Sequence, residues 1–134
     1  LSLLAWDESG AFRLARAGHP PAFLVHGGQP GDVEELCPRG RGLGLRPQGA
    51  GGWEVLEGVL GPREWLVMYS DGLTEAISRK GELYGPERLK EQLLHYWPTG
   101  SVRAACEAVF RDVSAFNAQN RDDRTLFILG REGA

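Results

Sequence analysis

Trp65-Leu66-Val67-Met68-Tyr69-Ser70-Asp71-Gly72 is the stretch whose reading decides the fold. Its first five residues are all apolar, a run too short for a helix and without the alternation of a strand that has one wet face. They predict a central strand buried on both faces. Ser70-Asp71-Gly72 ends that strand, and Asp-Gly in this position is most often a plain turn signal, because both residues tolerate tight-turn dihedrals. A strand end is also a rigid place to hold a metal ligand, so Asp71 stands open to both readings.

Toward the N-terminus, residues 1–6 and 11–17 are apolar-rich runs separated by Asp7-Glu8-Ser9-Gly10, which predicts a hairpin. Gly18-His19-Pro20-Pro21 follows, where two prolines remove backbone donors and force extended geometry. A third strand is expected over 22–26. Gly27-Gly28-Gln29-Pro30-Gly31-Asp32 then turns the chain into 33–36, so the first third reads as an antiparallel meander. Residues 38–52 hold six glycines in fifteen positions, longer than most connections in a compact domain, and read as a functional or mobile loop. A strand over 53–56 precedes the central one.

Toward the C-terminus the period changes. Gly85 can cap, Pro86 suits the first helical position, and Tyr84 can staple onto Leu89. Leu89, Leu93 and Leu94 share one face, and Pro98 ends the helix. A second helix over 101–118 carries Val102, Ala105, Val109, Val113 and Phe116 as one buried stripe. Residues 117–123 are polar, and 126–129 form a last apolar strand. Strands first and helices later predict a single α+β domain over 1–134, its helices covering one face of a mainly antiparallel sheet.

With 134 residues and 42% hydrophobic content the chain can bury one sizeable core. The net charge of -3 and three unclustered histidines offer no basic stripe for nucleic-acid phosphates or anionic lipid. The expected partners are proteins or small molecules, with no nucleic acid and no membrane. Cys37 and Cys106 are too few for a disulfide scaffold and form no Cys-x-x-Cys pair, which fits a reducing, cytoplasmic setting. No apolar run approaches the roughly 20 residues of a membrane-spanning helix. The chain starts at Leu1 and enters directly into a strand, so a fragment of a longer protein is expected.

Two acidic positions flank strands: Asp71 follows the 65–69 run, and Asp122-Asp123 precede the 126–129 run. Were these strands neighbours, the carboxylates would converge within reach of one metal ion, and hard oxygen donors without thiolate or imidazole select magnesium or manganese. Asp-Asp before a strand is equally a solvated loop end.

Four stretches together resemble one family. Ala17-Gly18-His19-Pro20-Pro21, Tyr69-Ser70-Asp71-Gly72-Leu73-Thr74-Glu75-Ala76, Tyr84-Gly85-Pro86-Glu87-Arg88-Leu89 and Asp122-Asp123-Arg124-Thr125 resemble, in order and spacing, the metal-dependent serine/threonine protein phosphatases of type 2C-like (PPM) kind. The likeness is to their bacterial SpoIIE-type branch, which acts on anti-sigma-factor antagonists. The resemblance implies a largely antiparallel β-sandwich flanked by helices, with two ions, Mn2+ or Mg2+, activating a water against phosphoserine or phosphothreonine of a regulatory protein. It implies Asp71 and Asp122 as metal ligands, with Gly72 giving room beside the metal. Asp123 is a weaker candidate, adjacent to the site or bound through an outer water. Thr125 either orients a neighbouring carboxylate or simply opens a strand. Ser70 and Glu75 read more readily as a backbone cap and a solvated helix start. His19 could act as a general acid, though its place between Gly18 and Pro20 favours a structural corner.

The family's first acidic motif, which supplies the carboxylate bridging both metals, is not found. Gly31-Asp32-Val33 lies after the third strand, lacks a following glycine-histidine pair and reads as a hairpin turn. The expected domain is therefore incomplete at its N-terminal side and inactive alone, either as part of a longer phosphatase or as a non-catalytic, protein-binding signalling module. The strand edge exposed by missing strands predicts a homo-oligomer.

Overall fold

The computed structural model describes residues 1–26, 32–44, 52–97, 101–118 and 123–131. Among these residues seven strands and three helices follow in the order β1 (Ser2–Trp6), β2 (Ala11–Arg16), β3 (Ala22–Val25), β4 (Val33–Leu36), β5 (Val55–Val59), β6 (Trp65–Tyr69), α1 (Asp71–Thr74), α2 (Gly85–Tyr96), α3 (Val102–Phe116) and β7 (Leu126–Gly130). They form two antiparallel sheets, β1-β2-β5 and β4-β3-β6-β7.

The expected meander is therefore two hairpins in different sheets. Between β2 and β3, Gly18 takes a φ of 60° that disfavours other residues, and Pro20 and Pro21 cannot donate to a continuing ladder. The corner passes the chain from the first sheet to the second. Alternating apolar residues report which face of a strand is buried, and nothing about which sheet it joins.

The reading of 65–69 holds: β6 is an inner strand of the second sheet, with β3 and β7 on either side. Trp65, Val67 and Tyr69 face one core with Phe23 and Val25, and against it pack Leu89 and Leu93 of α2 and Ala105, Val109 and Val113 of α3. Leu66 faces a second core with Phe12, Leu14, Ala22, Leu24, Leu36 and Leu60 between the sheets. The layers run sheet, sheet, helices, which is the α+β β-sandwich the resemblance implies.

The fifth strand begins two residues later than 53–56 suggests. Glu54 donates its amide to Arg39 and the Trp53 indole donates to Arg41 instead of joining a ladder. Within β5, Gly58 lies under Phe12, where a Cβ would sit 2.5 Å from the ring. Both helices match their sequence pattern. Ser101 caps α3 by accepting the Ala104 amide at 3.1 Å, and Tyr84 shares the core with Leu89.

Candidate metal centre

Pairing places the acidic residues. Tyr69 of β6 sits opposite Leu126 of β7, so the end of one strand and the start of the other leave the sheet side by side. Ser70 then adds three bonds. Its amide donates to the Thr125 carbonyl at 3.0 Å, its hydroxyl donates to the Asp123 carbonyl at 3.1 Å, and the same oxygen accepts the Thr125 amide at 2.9 Å. Asp71 and Asp123 thus leave neighbouring strands at one end of the second sheet, both exposed. Asp122 lies outside the described residues.

Asp71 opens α1, a single helical turn where Asp-Gly taken alone reads as a plain turn signal. Leu73 donates to the Ser70 carbonyl, Glu75 closes the turn on the Asp71 carbonyl, and the Thr74 hydroxyl bonds the same oxygen. Gly72 and Leu73 are buried beneath while the Asp71 carboxyl stays outside. Glu75 therefore ends a helical turn, not starts one. Ser70 stands at the N-cap position, yet its hydroxyl makes no cap bond and reaches across to the other strand. Thr125 enters this arrangement through its main chain.

The corner at 17–21 reaches the same end, because Ala22 begins β3 where β6 finishes. Burial pushes the His19 imidazole below its usual pKa, while the Asp71 carboxylate, near enough for its charge to be felt, pulls the other way. The corner is braced by Arg16, which sequence reasoning missed. Its guanidinium donates to the His19 carbonyl at 2.6 Å, to the Pro38 carbonyl at 3.2 Å and to Cys37 Sγ at 3.0 Å. Gly40 lies so close that a Cβ would collide with the Arg16 carbonyl. The position of Arg16 directly before Ala17-Gly18-His19 was the available signal. Asp32 sits at the opposite end of the sheet, in the β3–β4 connection, where its carbonyl accepts the His26 amide.

A second set of bonds holds the segment leaving α1. Ala118 donates to the Ile77 carbonyl and Ile77 donates to the Asn117 side chain. Further along, Asp112 on α3 accepts from the Tyr84 hydroxyl at 2.7 Å and from Arg88 at 2.9 and 3.0 Å.

As donors for a divalent ion, Asp71 and Asp123 are of the right type, hard oxygen. They are too few: among the described residues no group of three or more His, Cys, Asp or Glu could hold a metal ion.

Comparison with known proteins fits this architecture. The family model for Stage II sporulation protein E (SpoIIE) matches residues 3–132. Protein IcfG of Synechocystis sp. is 32% identical over 86 residues, which are 64% of this chain and 13% of that protein. The phosphatase domain of the cell fate determinant SpoIIE from Bacillus subtilis superposes with a TM-score of 0.72 at 18% identity, over 98% of this chain and 56% of that one. The RsbU and RsbW domains of a Mycobacterium tuberculosis protein give 0.75 at 26% identity, over 98% and 36%. The SiaA PP2C domain of Pseudomonas aeruginosa gives 0.73 at 21% identity, over 98% and 51%. The chain spans little more than half the length of these structures at most.

Proposed function

The chain belongs to the SpoIIE family, with the fold of PP2C phosphatase domains, and from this premise we propose that it supplies one part of a metal-dependent phosphatase site. Its substrate would be phosphoserine or phosphothreonine on a regulatory protein such as an anti-sigma-factor antagonist. Asp71 and Asp122 would be metal ligands, with Gly72 leaving space and Asp123 acting through an outer water. The observation that carries the reading is the Ser70 connection, which sets the Asp71 turn beside the 123–125 segment.

Bound Mn2+ or Mg2+ would lower the pKa of a water and offset charge on the phosphoryl oxygens. The described residues are too few to hold such ions alone, so the bridging acid would come from the rest of a longer domain. Free Cys37 and Cys106 agree with the cytoplasm as its place of action. No described helix is long and apolar enough to cross a membrane. Among the described residues β1 and β5 edge one sheet and β4 and β7 the other, and such edges would suit pairing with a second copy.

The test is turnover of an aryl phosphate and of a phosphorylated protein by the full natural domain, with manganese, before and after Asp71→Asn. A loss of about a hundredfold or more is expected, on the scale of removing one catalytic charge-stabilising group. An unchanged manganese-dependent rate in that variant overturns the proposal. The chain's span of little more than half of the similar phosphatase domains favours one second reading, a non-catalytic protein-binding module. It requires that the full natural domain show no manganese-dependent turnover and that Asp71→Asn leave partner binding intact.

A further inference from the structure

The Ser70 hydroxyl stands where a helix cap is expected and does not cap. A serine before a helical turn normally offers its oxygen to an amide two or three residues on. Here that oxygen is committed to a segment more than fifty residues away, donating to Asp123 and accepting from Thr125. The regular ladder between β6 and β7 ends at Tyr69 and Leu126. One further backbone bond, from the Ser70 amide to the Thr125 carbonyl, continues it. Beyond that point only the hydroxyl joins Ser70 to residue 123.

We propose that Ser70 is a positioning residue whose hydroxyl sets the separation between Asp71 and Asp123. The proposal rests on the reading of those acids as one site. Being donor and acceptor at once, the hydroxyl replaces two main-chain bonds with a single atom. An alanine keeps the backbone bond and strands the Asp123 carbonyl and Thr125 amide; a threonine keeps the oxygen. The chain direction on both sides is otherwise determined by strands whose pairing ends one residue earlier, so removing the hydroxyl loosens the acids without disturbing either core.

The experiment uses the full natural domain carrying Ser70→Ala, Ser70→Thr or Asp71→Asn, and reads amide exchange and manganese binding by calorimetry. In Ser70→Ala the Thr125 amide exchanges at least tenfold faster, the 65–69 amides keep their protection, and manganese binds about tenfold more weakly, the scale of one or two lost hydrogen bonds. Ser70→Thr restores both. Unchanged Thr125 exchange in Ser70→Ala overturns the proposal. So does an equal loss of protection across β6, which marks a general structural role, or a failure of threonine to rescue. Should Asp71→Asn bind manganese like the wild type, the metal reading fails, while Thr125 exchange still decides whether the hydroxyl positions this segment.

Discussion

His26 carries a carboxylate on each ring nitrogen. Nδ1 lies 3.0 Å from Glu64 and Nε2 lies 3.2 Å from Glu34, and Glu64 also accepts the Gly61 amide at 2.7 Å. The hydrogen bond that the ring donates to Glu64 is the main cause that raises the imidazole pKa, with burial opposing it and Glu34 and Asp32 adding to it. A raised folded-state pKa favours folding most when the ring is charged in both states. The contribution is thus complete below the unfolded value of about 6.5 and vanishes as pH climbs through the folded one. Urea midpoints of wild type and His26→Gln should differ most below pH ~6.5 and converge as pH rises past the raised folded value. Asp112 has the opposite sign: Arg88 chiefly holds its carboxyl below the usual range, so its contribution is lost as pH falls toward and below the folded value. Single residues were only partly legible in advance. Asp71 stood out because an apolar run ends beside it. The role of Ser70 did not, because its partners are distant in sequence and the local pattern offered a cap.

At the scale of elements, α2 and α3 were readable from period alone, since each presents one apolar stripe to the same sheet. Their mutual fixing was not, because Asp112 lies on α3, 24 residues from Arg88 and 28 from Tyr84, and no local pattern links them. Arg88 also lies 4.7 Å from the Phe116 ring centroid and 5.2 Å from that of Tyr84. Asp112→Ala leaves the Tyr84 hydroxyl and the guanidinium without their acceptor and should cost ~1–3 kcal/mol, toward the low end because Arg88 is 40% exposed. Chemical denaturation checks this. Strands were harder: the limits of β5 and the sheet membership of β1 and β2 depend on what packs behind them, which alternation does not encode. Gly58→Leu tests that packing, since its side chain would run into the Phe12 ring. A destabilisation of ~1–3 kcal/mol is expected by thermal melt.

For the whole molecule, two cores lie on either side of one sheet. Leu66→Ala empties space between the sheets and Leu93→Ala empties it beneath the helices, each fully buried. Each should cost ~2–5 kcal/mol, and as members of separate clusters their effects should add within ~0.5 kcal/mol. A double variant that loses much less would mean the cores do not act independently. Composition and element order were enough for an α+β domain, but the second sheet came only from the family likeness, because a chain's hydrophobic pattern has no mark for layer number. The position of β6 has a mechanical consequence. Asp71 hangs from a strand pressed between two cores, whereas residues 123–125 hang from β7, none of whose residues is fully buried and whose Phe127 is 38% exposed. The Asp71 side is thus the more firmly held of the two, and a change in the gap between them should fall mainly on the 123–125 side.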